Sequence, residues 1–168
     1  MQNRIGISSG EMVTGNMGSE ARMNYTMMGD NVNTAARLES SAKQYGIYIQ
    51  IADSTYQAVK EKVVVRDLDN VRVLGKNEPV KVWELISEVG QEPGQYKKIL
   101  PAYHEALDLY KNQEWSKAID AFKASDELEE MFGGRKTNPS RIYIPRCEHY
   151  LENPPGEDWD GVWTLTSK

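Results

Sequence analysis

Residues 24–39 read Asn-Tyr-Thr-Met-Met-Gly-Asp-Asn-Val-Asn-Thr-Ala-Ala-Arg-Leu-Glu, and this stretch carries the strongest local signal in the chain. Val32, Ala35, Ala36, Leu38 and Ala42 recur at helical spacing, which predicts a helix over residues 31–45. Asp30 stands where a side chain caps a helix start, and Gly46 where a left-handed residue ends one. Asn33 and Arg37 lie four apart, so both project from one face, while Val32, Ala35 and Ala36 are free to face a sheet. An amide beside a guanidinium is a polar grip suited to a ribose and a phosphate. A solvated helix face has the same spacing, and both readings stand at this point.

Working outward, residues 4–13 carry Ile5, Ile7, Met12 and Val13 among small residues and read as a strand, with a glycine-rich turn over residues 14–18. Residues 47–51 read as a buried strand and residues 53–62 as a short helix. Residues 63–66, 71–74 and 80–86 read as further strands, the last two joined by a turn over residues 75–79. This alternation predicts an α+β layered sheet over residues 1–88. Residues 89–95 are polar with Gly90, Pro93 and Gly94, as a linker would be. Beyond them, Ala106, Leu107, Leu109 and Tyr110, then Trp115, Ala118, Ile119 and Phe122, form two amphipathic runs around a polar turn at residues 111–114. The pair resembles one tetratricopeptide hairpin, so residues 96–168 read as a small all-α, TPR-like extension. A third run, residues 140–150, is placed to pack beside it. The end is extended, and Trp159 and Trp163 are expected to lie against the other elements.

Twenty basic against 25 acidic residues, a net charge of −5, leave no broad cationic surface for nucleic acid. Cys147 is the single cysteine, so neither an internal disulfide nor a cysteine-based zinc site is available within one chain. The single cysteine suits a reducing compartment and no apolar stretch is long enough to span a bilayer, so the expected location is cytoplasmic, with a membrane anchor on a longer parent protein left open. No G-x-x-x-x-G-K-[ST] loop or G-x-G-x-x-G fingerprint is present. His104 and His149 both fall in the extension with no nucleophile beside them, which leaves a hydrolytic triad without support. Asp67 and Asp69 alternate on a predicted strand and read as solvated carboxylates.

The run Arg4-Ile-Gly-Ile-Ser-Ser-Gly10, then Gly15-Asn-Met-Gly-Ser19, Arg22, residues 25–39, and Gly75-Lys76-x-x-Pro79-Val80 together resemble the second half of a class III adenylate/guanylate cyclase catalytic domain. The extension, with Pro154-Pro155-x-x-Asp158-Trp159-Asp160-Gly161-Val162, resembles the one that follows this domain in bacterial members. The resemblance implies part of a ferredoxin-like nucleotide cyclase sheet and the conversion of ATP to cyclic AMP and pyrophosphate. In it Asn33 orients the ribose, Arg37 stabilises charge on the α-phosphate and Thr26 reads the purine, while the outer phosphates belong to a basic residue at the position of Leu74, with Lys76 the candidate to reach them instead. Leu74 departs from the basic residue usual at its position. Thr26 favours ATP over GTP, a guanylate cyclase being the lesser alternative. The family's two Mg²⁺ or Mn²⁺ ions are held by aspartates of its first half, which these residues do not include. Each family site draws its metal aspartates from one subunit and its Asn/Arg pair from the other. The implied partners are therefore ATP and a second copy or another cyclase subunit, and the chain alone is expected to be inactive. Met12, Val13, Met17, Met27 and Met28 are candidate subunit contacts, or else local core. The rival reading is a non-catalytic interaction module derived from a cyclase.

Overall fold

The structure is a computed structural model that describes residues 3–71, 79–130, 135–156 and 158–163. It is a mixed α+β arrangement of six strands and five helices among those residues. Strands β1 (Ile5–Ile7), β4 (Ile49–Ala52), β5 (Val63–Val71) and β6 (Val80–Glu88) form one sheet in the order β1-β4-β6-β5. β1 runs parallel to β4, and the other pairs are antiparallel. β2 (Val13–Ser19) and β3 (Arg22–Met28) make a separate two-stranded ribbon. Helices α1 (Asp30–Tyr45) and α2 (Asp53–Val59) belong to the sheet half. Helices α3 (Tyr96–Lys111), α4 (Trp115–Glu130) and α5 (Pro139–Glu152) form the extension.

The expected turn over residues 14–18 is instead the body of β2, and the chain reverses just after it. Glycine reads as a breaker in isolation, but here the ladder to β3 supplies the hydrogen bonds, and a Cβ on Gly18 would lie 2.0 Å from the Arg22 carbonyl oxygen. The first strand is correspondingly short, ending at Ile7. Met12, Val13, Met27 and Met28 are exposed and Met17 is half-buried, so the first four do not fill a local core.

α1 forms where its pattern predicts, burying Leu38, Ala42 and Tyr45 along one stripe. Two details differ. Gly29 is the N-cap and Asp30 lies inside the first turn, where its charge favours the positive end of the helix dipole. Ala36, expected against the sheet, is exposed. Gly46 ends the helix at φ 67°, and a Cβ there would also meet the Thr137 carbonyl oxygen at 2.0 Å, so conformation and close approach both require glycine. β1 passes so near α1 that a Cβ on Gly6 would lie 2.1 Å from the Ala35 carbonyl oxygen. α2 is pinned to the sheet by Trp83, which donates to Asp53 Oδ1 at 3.0 Å and stacks on Tyr56.

The expected strand over residues 63–66 continues as β5 through Val71. Leu74, Lys76 and most of the expected 75–79 turn lie outside the described residues. The register of β5 on β6 skips Leu68: Asp67 faces Trp83, and Asp69 faces Val82. This bulge puts the two aspartates on opposite faces, where simple alternation would put them on one.

β5 is a sheet edge, and the helical extension covers it. His104 Nε2 accepts from the Asp67 backbone N–H at 3.3 Å, and the Tyr143 hydroxyl donates to the carbonyl oxygen of bulged Leu68. Two edge groups are thereby satisfied by side chains of α3 and α5, a way of closing an edge without another strand. Beside them Arg66, fully buried, pairs with Glu84 at 3.0 Å and with Glu129 of α4, while Arg135 pairs with Glu84 at 2.7 Å and donates to the Tyr96 hydroxyl. The extension has its own aromatic core of Tyr103, Tyr110, Trp115, Phe122, Tyr143 and Tyr150. As expected, Trp159 packs on it, its ring 5.2 Å from that of Trp115, and Trp163 lies 5.2 Å from Tyr150. Burial lifts the Cys147 thiol to about 12, so the single cysteine is an inert core residue.

His104 gives a pH signature. Burial, the largest influence, lowers its pKa below the ordinary value; Arg66 and Lys111 push the same way, and Asp67 and Asp108 oppose. The unfolded chain therefore takes up this proton first, and the associated stability is full above about pH 6.5 and declines as pH falls through that value. The urea midpoint is expected to drop between about pH 7 and pH 5.5, and His104→Gln, which keeps an acceptor without titrating, should flatten that part of the profile. An equal slope in the variant would assign the dependence to other groups.

Candidate functional site

The open face of α1 carries Asn33 and Arg37, both exposed and one turn apart, opposite the buried stripe of Leu38, Ala42 and Tyr45. The helix is fixed at its start by Asn31, which the sequence reading did not single out. Asn31 Oδ1 accepts from the Ser8 hydroxyl, and its Nδ2 donates to the Glu11 carbonyl, each at 3.1 Å. Ser9 joins the Thr55 hydroxyl of α2 at 3.0 Å, so the segment after β1 is tied to the starts of both helices.

Thr26 lies on β3, which runs into α1 through Gly29 alone. Its partner across the ribbon is Gly15, so no neighbouring side chain covers it from the paired position, and it is exposed. Thr26, Asn33 and Arg37 thus belong to one continuous strand–helix unit and all face solvent. Lys76 lies outside the described residues.

At the other end of α1, Tyr45 is buried, and its hydroxyl donates to Asp69 Oδ2 at 2.6 Å. Burial first, and the charge of Asp69 next, hold the phenol well above its ordinary pKa, so it stays a donor. Arg146 of α5 reaches the same oxygen at 2.7 Å. Asp69 is therefore buried and paired, and Asp67 is held by Lys81 at 3.0 Å and Lys111 at 2.9 Å; neither is the solvated carboxylate that alternation suggests. Nor do the two fit a divalent cation, since they face opposite ways and are already neutralised by three cationic side chains. No group of three His, Cys, Asp or Glu suited to a metal occurs among the described residues.

Residues 1–87 match the family described as the adenylate and guanylate cyclase catalytic domain. The chain belongs to this family.

An adenylate cyclase of Dictyostelium discoideum, described as terminal-differentiation specific, is 34% identical over 151 residues, covering 88% of this chain and 7% of that protein. An alignment of 151 residues is longer than the 87 matched to the cyclase family, so this similarity continues into the helical extension. Among solved structures, the adenylyl cyclase CyaB from P. aeruginosa is 33% identical, covering 54% of this chain and 45% of that one, with a TM-score of 0.45. The guanylyl cyclase Cya2 is 34% identical, covering 49% and 41%, with a TM-score of 0.41. The chain thus spans 7% of that curated relative and under half of either solved chain. No helix among the described residues is long and apolar enough to cross a membrane.

Proposed function

We propose that this chain supplies the purine-, ribose- and transition-state-binding half of an adenylate cyclase site, in which ATP is converted to cyclic AMP and pyrophosphate. The observation that carries the reading is the division of α1 into a buried stripe and an open face bearing Asn33 and Arg37. Asn33 holds the ribose. Arg37 meets the negative charge that grows on the α-phosphate as the 3′-oxygen attacks, and Thr26 reads the adenine edge. Phosphoryl transfer depends chiefly on positioning and charge stabilisation, which an amide and a guanidinium on a rigid helix provide. Asp67 and Asp69 are committed to Lys81, Lys111 and Arg146, which fits divalent ions being held by another segment or subunit. The exposed Met12, Val13, Met27 and Met28 on and beside the ribbon fit association with such a partner.

The test is complementation. The chain is mixed with a cyclase subunit that keeps its metal-binding aspartates but lacks an Asn/Arg pair, in the presence of Mn²⁺ and either ATP or GTP. Cyclic AMP from ATP supports the proposal. Cyclic GMP in preference reassigns the purine, and no product from a complex shown to have formed favours a non-catalytic module. Within an active complex, Thr26→Ala is expected to lower the ATP-to-GTP ratio of kcat/KM by about tenfold, the scale of one hydrogen bond to the base. An unmoved ratio would place purine reading elsewhere.

A further inference from the structure

We propose that Arg146 is a positioning residue for α1, joining the C-terminal strap of residues 158–163 to the helix that bears Asn33 and Arg37. The proposal rests on the assignment of those two residues to the site. Its geometry is a continuous chain of contacts through the interior. Trp163 of the strap lies 5.4 Å from the Arg146 guanidinium and Tyr143 lies 5.0 Å from it, so the cation sits against two aromatic rings. Arg146 binds Asp69 on the bulged edge strand, and Asp69 accepts a hydrogen bond from the hydroxyl of Tyr45, the last residue of α1.

The strap has a defined shape. The Trp159 indole donates to the Val162 carbonyl at 3.3 Å, the Val162 N–H donates to Asp160 at 3.0 Å, and Val162 is buried. Removal or displacement of the strap therefore uncovers one side of Arg146.

A buried ion pair adds little net stability over an apolar replacement, and its best-attested use is to fix one arrangement among several. Here the arrangement fixed is the rotation and depth of α1. Tyr45 and Arg37 are eight residues apart, about 12 Å along a rigid helix, so movement at the Tyr45 end is carried to the open face. Thr137 against Gly46, and Ile142 against the sheet core, bring the same extension to the same helix end. Misplacement of a reacting group by about 1 Å costs up to about a hundredfold in rate, so a small rotation is enough to matter.

The experiment uses the whole chain. Arg146→Gln alone leaves Asp69 unpaired and risks unfolding, so the informative variant is Asp69→Asn with Arg146→Gln, which removes both charges and keeps an acceptor for Tyr45. Arg146→Lys is the conservative control, and Trp163→Ala probes the strap. Hydrogen exchange of the chain alone is followed in the second half of α1, with α3 and α4 as reference, and kcat and KM are measured in the complementing complex. For the double variant the expected result is a fall of about tenfold to a hundredfold in kcat at unchanged KM, with exchange faster in α1 and unchanged in α3 and α4. Trp163→Ala should move both readouts the same way by less, and Arg146→Lys should restore part of each. Unchanged kcat and α1 exchange would overturn the proposal, as would exchange raised equally in α1, α3 and α4, the mark of a general stabiliser. A wild-type complex that makes no product defeats the cyclase assignment instead, and exchange alone then decides whether Arg146 holds α1.

Discussion

Replacing Arg37 with alanine is expected to lower kcat of the complementing complex by about 10²–10³-fold, with KM for ATP changed by no more than about twofold. The asymmetry comes from where the charge is needed. In the ground state the α-phosphate carries its ordinary negative charge. In the proposed transition state further charge collects on its non-bridging oxygens, and a guanidinium held on a packed helix stabilises that increment without reorganising. Arg37 stands on the open face of α1, away from Leu38, Ala42 and Tyr45, so its truncation leaves the core untouched. Thermal unfolding of Arg37→Ala should accordingly shift little, an exposed contact being worth about 1 kcal/mol at most. Steady-state kinetics with single-turnover controls check the claim: an unchanged kcat removes Arg37 from the chemistry, and a raised KM at constant kcat makes it a uniform binding contact.

Local structure is legible in the amino-acid sequence where one physical signal dominates. The 3.6-residue stripe of α1 and the end at Gly46 are strictly local, and both recur in the structure within a residue. The helices of the extension are legible for the same reason, since Tyr110, Trp115 and Phe122 repeat on buried faces around a short polar turn. β2 is not legible, because its glycines signal a break and the ladder comes from the returning strand, residues 22–28.

The aspartates of β5 show a subtler failure. Alternation assigns Asp67 and Asp69 to one solvated face, but Leu68 is bulged, a feature no local pattern announces, and the extra residue turns Asp69 inward toward Tyr45 and Arg146. Arg146 lies 77 residues along the chain from Asp69, so the pair has no sequence signature at all. Of the proposed site, Asn33, Arg37 and Thr26 could be named from their motif. Asn31, Tyr45 and Arg146, which hold α1 in place, become visible only once helix ends and sheet edge are folded together.

Arg66→Met should lower the unfolding temperature by on the order of 10 °C, among the largest effects any single substitution would have here. Arg66 is fully buried with its guanidinium between Glu84 of β6 and Glu129 of α4, and lies 5.0 Å from the Tyr103 ring. The two carboxylates hold its pKa above the ordinary arginine value against the opposing effect of burial. Methionine fills much of the same volume, so the loss is electrostatic: among the described residues Glu129 loses its cation and Glu84 keeps only Arg135. Removing one member of a buried ionic group costs about 3–5 kcal/mol, a large share of the 5–15 kcal/mol that holds a typical domain together. Because the group joins β6 to α4, the deficit falls on the seam between the sheet and the extension. The companion substitution separates charge from packing. Arg66→Met with Glu129→Leu removes a balanced pair and leaves Glu84 with Arg135, so most of the lost stability should return. Calorimetric scans of the two variants decide the matter: a double variant no more stable than Arg66→Met would show that the shape of the arginine, rather than an unpaired buried carboxylate, sets the stability of the seam.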